Sequence, residues 1–187
     1  MRGARVIMEE GIRYTAEMVR DLPDDGNRYE TVHGELLITP RQRPWHQIVL
    51  SRLNTALTDY LHDQPVGYLL QSPADISWDE EILVQPDIFV VDPDEASTYD
   101  WTLMKTLLFV GEVTSDTTTD ADRITKRLLY QSVGVPAYWV VDPNQKVVEV
   151  WVPDATVPEV NRKTVEWHPT GAQEPMLLDL RELFSPL

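Results

Sequence analysis

Two carboxylates interrupt segments of the chain that otherwise have the composition of buried β-strands. Asp87 precedes the apolar run IFVV, and Glu112 lies near the carboxyl end of the run LLFVGEV. An isolated charge is costly on a buried strand, so an acid there needs a partner or a ligand. If the two strands are neighbours in one sheet, both carboxylates lie within the span of one divalent cation. Mg²⁺ typically binds one or two protein carboxylates together with water and phosphate oxygens.

A lysine follows these acids on a predicted helix. Asp122, Lys126 and Tyr130 are spaced four residues apart, so an α-helix would place all three on one face. A lysine beside a cation site can orient a water molecule and stabilise charge on a phosphate oxygen. Two carboxylates, a divalent metal and a lysine are the groups needed for hydrolysis of a phosphodiester. On spacing alone, a structural interpretation is favoured: a surface Asp122–Lys126 pair, and an Asp87 that only begins a strand.

The segments around these residues predict a mixed sheet flanked by helices, which is an α/β or α+β fold. The most regular helix is predicted over 44–61, where apolar residues recur every four positions. A hairpin is predicted around His33-Gly34. The other predicted helices cover 14–22, 120–133 and 180–184, and the strands cover 28–32, 35–39, 68–71, 74–78, 87–91, 106–113, 137–141, 147–152 and 164–167. Because the prolines never cluster into a linker, we expect a single domain over 1–187 with a core at about 28–152.

Composition excludes several classes of function. The chain has 187 residues and no cysteine, so it has no disulfide, thiolate zinc site, iron–sulfur cluster or cysteine nucleophile. No apolar run approaches the roughly 20 residues of a membrane span, and the first residues lack the apolar core of a signal peptide. Walker and dinucleotide-binding motifs are also missing. We therefore expect a cytoplasmic protein that uses neither a membrane nor a nucleotide cofactor.

The negative charge of the chain is unevenly distributed. The net charge is −15, from 16 basic and 31 acidic residues, and the segment Leu53–Met104 contains eleven acids but neither lysine nor arginine. We interpret this segment as a solvated acidic face, which argues against a protein whose whole surface attracts DNA. The residues that could form a phosphate-binding face lie elsewhere: Arg41, Arg43, Arg123, Lys126 and Arg127.

Motifs from Tyr29 to Pro143 together resemble the Uma-type restriction endonucleases, a branch of the PD-(D/E)xK nuclease superfamily. The matching features, in chain order, are Tyr29-Glu30, Gly34-Glu35-Leu36, His46, Pro86-Asp87 before IFVV, LLFVGEVTS with Glu112 and Ser115, the spacing of Asp122, Lys126 and Tyr130, GVPAYW at 134–139, and Val141-Asp142-Pro143. Each feature is short, and the resemblance depends on their order and spacing.

The resemblance implies a restriction-endonuclease-like sheet and a metal-dependent endonuclease that cuts DNA, leaves a 5′-phosphate and acts as a homodimer. It implies that Asp87, Glu112 and the carbonyl of Val113 bind Mg²⁺ or Mn²⁺. Lys126 would be the active-site lysine, displaced onto the following helix because this chain has Thr114 at the superfamily's usual position. The accessory candidates are Glu35, His46, Asp122 and Tyr130. The candidate substrate contacts are Arg41, Arg43, Ser115, Arg123 and Arg127.

Alternatives stay open for two of the accessory residues. Glu35 is either an additional acid of the site or a polar residue on a hairpin strand. His46 is interpreted first as a helix-capping or surface histidine, with a substrate contact as the alternative.

Asp116 replaces a proline that is common in the family. Because this loop is a candidate for DNA contacts, the substitution bears most on substrate preference.

Alternatives also stay open for the function as a whole. The chain could be a binding or assembly module that keeps the nuclease fold without turnover, which the charge of −15 favours. The retained set of Asp87, Glu112 and Lys126 argues against such an inert module. A phosphodiesterase acting on RNA, or on branched or damaged DNA, is a third possibility.

Overall fold

The computed structural model describes residues 5–7, 11–114 and 121–187, with side chains for 11–114, 121 and 123–187. Two predicted site groups, Ser115 and the side chain of Asp122, lie outside this described part.

Strands outnumber helices in the described part of the chain. The strands are β1 (Arg5–Ile7), β2 (Arg28–Val32), β3 (Glu35–Thr39), β4 (Tyr68–Gln71), β5 (Ile88–Val91), β6 (Leu107–Val113), β7 (Tyr138–Asp142), β8 (Val147–Trp151), β9 (Glu159–Asn161), β10 (Thr164–Trp167) and β11 (Met176–Asp179). The helices are α1 (Ala16–Arg20), α2 (Pro44–Asp63), α3 (Pro93–Ala96), α4 (Arg127–Ser132) and α5 (Leu180–Leu183).

A six-stranded sheet in the order β4-β5-β6-β7-β8-β9 forms the centre of the fold. Its β6–β7 pair is parallel, and its other neighbouring pairs are antiparallel. Two smaller sheets accompany it, one with the order β1-β3-β2 and one formed by β10 and β11. This mixed sheet flanked by helices confirms the predicted fold class.

Each face of the central sheet is covered by a different set of elements. On one face, α2 buries Val49, Leu53 and Leu57 against Ile88 and neighbouring sheet residues. The four-residue spacing of these apolar side chains is the reason that α2 presents a continuous apolar stripe to the sheet. On the other face, α4 and the hairpin formed by β2 and β3 pack against alternate residues of the same strands. The sheet is therefore buried on both sides, which explains its nearly continuous apolar strands.

The crossover between the parallel strands β6 and β7 differs from the uninterrupted helix that was predicted for 120–133. Ala121–Lys126 is π-helical, and the regular helix α4 begins only at Arg127. Short π-helical turns are rare and occur often at functional sites. Lys126, the predicted active-site lysine, is the last residue of this π-helical segment.

Several local predictions are confirmed and several are wrong. The hairpin at His33-Gly34 forms, and both turn residues have positive φ (51° and 80°). The 74–78 segment makes an isolated bridge at Ile76 and no strand. The predicted edge strand at 164–167 forms as β10 and pairs with β11 in a separate two-stranded sheet. No element was predicted at the positions of β1, β9, β11 or α3.

In the part of the chain that the structure describes, no helix combines the length and apolar character needed to cross a membrane.

Candidate active site

Asp87 and Glu112 meet at one end of the central sheet. Because β5 and β6 are antiparallel, the start of β5 lies beside the end of β6, and Ile88 pairs with Gly111. The backbone N–H of Asp87 donates to Oε2 of Glu112 at 3.3 Å. The N–H of Val113 donates to Oδ2 of Asp87 at 2.9 Å. Both carboxylates are buried, with at most 3% of either residue exposed, so the expected convergence is present.

Lys126 joins the two carboxylates from the π-helical segment. Its Nζ donates to Oε1 of Glu112 at 3.0 Å and forms an ion pair with Oε2 of Glu30 at 2.9 Å. The hydroxyl of Tyr130 donates to the same Oε1 of Glu112 at 3.3 Å. Lys126 is only 1% exposed, so it is a buried cation held between carboxylates and not a surface residue. The surface-pair interpretation of Lys126 is therefore wrong.

Glu30 is the upstream acid of this cluster, and the sequence analysis did not include it among the site residues. It lies on β2, is fully buried, and accepts a hydrogen bond from the backbone N–H of Gln85 at 2.8 Å through Oε1. Glu35, the acid that was predicted for this role, is exposed beside the hairpin turn, opposite Val32. The hairpin interpretation of Glu35 is the correct one. Like Asp87, Glu30 is an acid on a strand with buried neighbours, and the cost of an isolated buried charge identifies it in the same way.

Arg28 also reaches the cluster, two residues before Glu30 and on the same face of β2. Its Nη1 donates to Oδ1 of Asp87 at 2.7 Å and to the carbonyl of Gln85 at 3.0 Å. Longer ion pairs join its Nη2 to Oε2 of Glu112 at 3.9 Å and its Nε to Oε2 of Glu30 at 3.6 Å. One guanidinium therefore faces three carboxylates.

His46 lies inside the site, in the first turn of α2 and two residues after Pro44. Its Nε2 lies 3.1 Å from Oδ2 of Asp87, and the residue is 3% exposed. The N-cap of α2 is Arg43, without a side-chain capping bond. The interpretation of His46 as a capping or surface residue is therefore wrong, since the imidazole is a buried partner of Asp87.

The charges in the cluster shift the ionisation of its members. Burial alone would raise the pKa of the Asp87 carboxyl, but Arg28 and His46 overcome this effect and hold the pKa well below its usual range. Burial would lower the pKa of Arg28, whereas Glu30, Asp87 and Glu112 together raise it well above its ordinary value. Asp87 is therefore a carboxylate and Arg28 a cation at neutral pH.

A cleft of about 810 Å³ opens beside the cluster. Asp87 and Arg28 border it, together with Arg41 and Gln47 from the start of the α2 region. Glu112 and Lys126 do not line the cleft and lie behind Asp87 and Arg28, with at most 1% of either residue exposed. The volume of the cleft is within the range of ligand-binding pockets, and the cleft reaches the cluster at Asp87.

The predicted basic contacts divide into two groups. Arg41 and Arg43 are exposed near the start of α2, and Arg41 borders the cleft. Arg123 instead pairs with Asp142 at 2.9 Å and with Glu149 at 2.8 Å. Arg127 bonds to Gln131 and to the carbonyl of Arg123, and its guanidinium lies 4.6 Å from the ring centroid of Trp151. The structure therefore places Arg123 and Arg127 in internal contacts and not along the cleft.

The donor atoms fit the metal that the family resemblance implies. Among the described residues, no group of three or more acidic or histidine side chains is arranged to hold a metal ion. Asp87 and Glu112 nevertheless present hard oxygen donors side by side, which is the donor type that Mg²⁺ and Mn²⁺ require, and two protein carboxylates suffice for such an ion. Val113 contacts the site through its N–H, and its carbonyl as a ligand stays a prediction.

The fold and the site define a restriction-endonuclease-like protein. The chain belongs to the Uma2 family, whose description is "Putative restriction endonuclease", and the match covers residues 16–182. A crystal structure described as a "putative nuclease belonging to DUF820", from Anabaena variabilis, has the same fold with a TM-score of 0.74. It is 20% identical and covers 91% of this chain and 97% of that chain. No curated protein matches the chain.

Proposed function

We propose that this protein hydrolyses phosphodiester bonds of DNA as a metal-dependent endonuclease. The observation that carries the proposal is the convergence of three side chains from distant parts of the sequence. One carboxylate oxygen of Glu112 accepts a hydrogen bond from Nζ of Lys126 at 3.0 Å, and the other accepts one from the backbone N–H of Asp87 at 3.3 Å. Membership of the Uma2 family and the nuclease-like fold support the same reaction class.

Each residue has a defined role in this proposal. Asp87 and Glu112 would hold Mg²⁺ or Mn²⁺, and the bound ion would supply positive charge to a phosphate oxygen and make water more acidic. Lys126, positioned by Glu112 and Glu30, orients the attacking water and stabilises the charge that develops on the phosphate. Tyr130 fixes the Glu112 carboxylate, and His46 fixes that of Asp87. We infer in-line attack by water and a product with a 5′-phosphate.

Arg41 and Arg43 provide the route by which an acidic protein could bind DNA. Arg41 borders the cleft, which Asp75 and Asp87 of the acidic segment Leu53–Met104 also line, and Arg43 is the N-cap residue of α2. Local positive charge of this kind can bind phosphates even when the net charge is −15. A homodimer, in which two sites would address two strands, also stays a proposal, and light scattering of the purified protein would test it.

The test is cleavage of supercoiled plasmid DNA by the purified protein with Mn²⁺, with Mg²⁺ and with a chelator. We expect nicked and linear products with either metal and none with the chelator. Lys126→Met and Glu112→Gln should reduce the rate at least about 100-fold, as expected when a charge-stabilising group is removed. Lys163→Met removes an exposed lysine away from the cluster and should cut like the wild type.

An inert module would give a different result from an active nuclease. If the wild-type protein binds DNA but no metal produces cleavage, the assembly-module alternative replaces the proposal. If single-stranded RNA is cut and plasmid DNA is not, the reaction class stands and the DNA substrate is wrong. Equal rates for the wild type and Lys126→Met would place the activity outside this cluster.

A further inference from the structure

Arg28 separates the buried carboxylates from the cleft. It borders the cleft together with Asp87, and 15% of its side chain is exposed. Glu112 and Glu30, which it also faces, are fully buried. A cation that approaches Glu30 and Glu112 from the cleft therefore meets Arg28 and Asp87 first.

The guanidinium uses the oxygens that a divalent ion would also use. Oδ2 of Asp87 already contacts Val113 and His46, and Oε1 of Glu112 already accepts from Lys126 and Tyr130. The other oxygens of the two carboxylates are Oδ1 of Asp87, which accepts from Arg28 at 2.7 Å, and Oε2 of Glu112, which accepts the Asp87 N–H at 3.3 Å and lies 3.9 Å from Nη2 of Arg28. Arg28 and a metal ion would thus compete for the same pair of oxygens.

Arg28 is held by fewer good hydrogen bonds than a guanidinium can make. It has five N–H groups, and in the described contacts only Nη1 donates at hydrogen-bonding distance, to Asp87 and to the Gln85 carbonyl. Its buried Nε has no hydrogen-bond acceptor among the described residues. Turning toward the open cleft therefore gives up the bonds of Nη1 and the longer ion pairs to Glu30 and Glu112, while water in the cleft can solvate the guanidinium.

The charges of the cluster are better balanced by a divalent ion than by Arg28. Glu30, Asp87 and Glu112 carry three negative charges, and Lys126 supplies one positive charge. Arg28 leaves the buried group with one net negative charge, whereas a divalent ion in its place would make the group neutral. This difference in net charge favours the exchange, and it opposes the cost of removing part of the hydration of the ion.

We propose that Arg28 is a built-in competitor of the metal, which holds the Asp87 and Glu112 carboxylates in place until a divalent ion displaces its guanidinium into the cleft. This inference rests on the proposed function, because it assigns Arg28 a role at the same metal site. The affinity for a divalent ion is then set partly by the free energy of releasing Arg28 from the carboxylates. Arg28 is a positioning residue of the metal-free protein.

The test is Mn²⁺ binding measured by isothermal titration calorimetry at pH 8 for wild type, Arg28→Met and Arg20→Met. Arg20 borders the same cleft but pairs with Asp75 at 3.1 Å, so its substitution is a control for the loss of one positive charge. We expect Arg28→Met to bind Mn²⁺ at least about tenfold more tightly than wild type, because the competing state is removed. Arg20→Met should stay within about twofold of wild type.

Thermal unfolding provides a second readout that a merely structural role would not reproduce. Without metal, Arg28→Met should melt below wild type because three buried carboxylates lose a counter-ion. Saturating Mn²⁺ should then raise the melting temperature of Arg28→Met more than that of wild type, since ligand stabilisation follows affinity. A purely structural Arg28 predicts lower stability together with equal or weaker Mn²⁺ binding, which would overturn the proposal.

A measurement on the wild-type protein keeps the proposal testable if Arg28→Met does not fold. In protein labelled with ¹³C at the arginine Cζ, the Arg28 signal is assigned by its loss in Arg28→Lys. We expect this signal to shift during a Mg²⁺ titration with the midpoint that calorimetry gives for Mg²⁺ on the same protein, and an unchanged signal on a site that binds Mg²⁺ would overturn the proposal. If the folded wild type binds neither metal, the proposed metal-dependent function fails together with the role of Arg28. If it binds metal and the Arg28 signal does not change, only the role of Arg28 fails.

Discussion

Lys126 Nζ lies 3.0 Å from Oε1 of Glu112, although 14 residues separate the two along the chain. The contact forms because β6 delivers Glu112 to one end of the sheet and the π-helical crossover returns over the same face. Glu30, from a separate sheet, holds the other side of the ammonium at 2.9 Å. Two sheets and one crossover therefore position a single lysine.

Glu30→Gln should reduce DNA cleavage by about 10- to 100-fold, which is the typical effect of removing a residue that orients a ligand or catalytic group. The substitution keeps the shape of the side chain but removes a negative charge beside Lys126. The matched control is Glu35→Gln, the same change on an exposed hairpin residue, which should cleave at the wild-type rate. Equal losses in the two variants, measured in single-turnover assays, would contradict the assignment of Glu30.

Asp87 should make the stability of the protein depend on pH in the acid range. Its pKa in the folded protein is below that of an unfolded aspartate, about 3.9. The stabilisation from ionised Asp87 is therefore complete above about pH 4 and is lost as the pH falls toward the folded value. The difference in unfolding free energy between wild type and Asp87→Asn, from urea denaturation, should be largest near neutral pH and shrink below about pH 4. A difference that is constant or grows on acidification would count against this.

Arg41→Met should weaken DNA binding and reduce the slope of log K against log salt concentration by about one, as expected for one lost phosphate contact. Arg123→Met should leave that slope unchanged, because Arg123 is paired with Asp142 and Glu149 inside the protein. Its effect should appear in unfolding experiments instead. Fluorescence anisotropy with labelled duplex DNA at several salt concentrations separates the two, and an altered slope for Arg123→Met alone would reverse the assignment.

Leu57→Ala should lower the free energy of unfolding by about 2–5 kcal/mol, because Leu57 is fully buried between α2 and the central sheet. The neighbouring Thr58 is exposed, and Thr58→Ala should stay within about 0.5 kcal/mol of wild type. Urea denaturation measures both. His46 reaches Asp87 from α2. A small effect for Leu57→Ala would mean that Leu57 does not anchor this helix to the sheet.

The local signals in the sequence were sufficient for the elements that carry a strong period or turn. The four-residue apolar spacing predicted α2, and His33-Gly34 marked the hairpin, because a two-residue hairpin turn favours residues that adopt positive φ. The strands β9 (EVN) and β11 (MLLD) were missed because each is short and partly exposed. Their pairing is determined by distant partners and not by their own residues.

The site was only partly predictable for the same reason. Asp87, Glu112 and Lys126 interrupt or follow segments whose burial is evident from the sequence. Arg28 and Glu30 lie on the mixed segment RYETV, where alternating polar residues are typical of a half-exposed strand. Their burial follows from packing of that hairpin against the central sheet, which no local pattern indicates. Arg123 and Arg127 were predicted as substrate contacts from their charge, which does not show that they meet Asp142, Glu149 and the Trp151 ring in the folded chain.

Anomalous diffraction at the manganese edge, from a crystal of the wild-type protein soaked in Mn²⁺, would show directly whether Asp87 and Glu112 bind a metal. We expect an anomalous peak coordinated by carboxylate oxygens of Asp87 and Glu112, and no such peak in Glu112→Gln treated in the same way. A fully soaked crystal in which manganese binds only elsewhere, or in which the peak persists unchanged in Glu112→Gln, would contradict it.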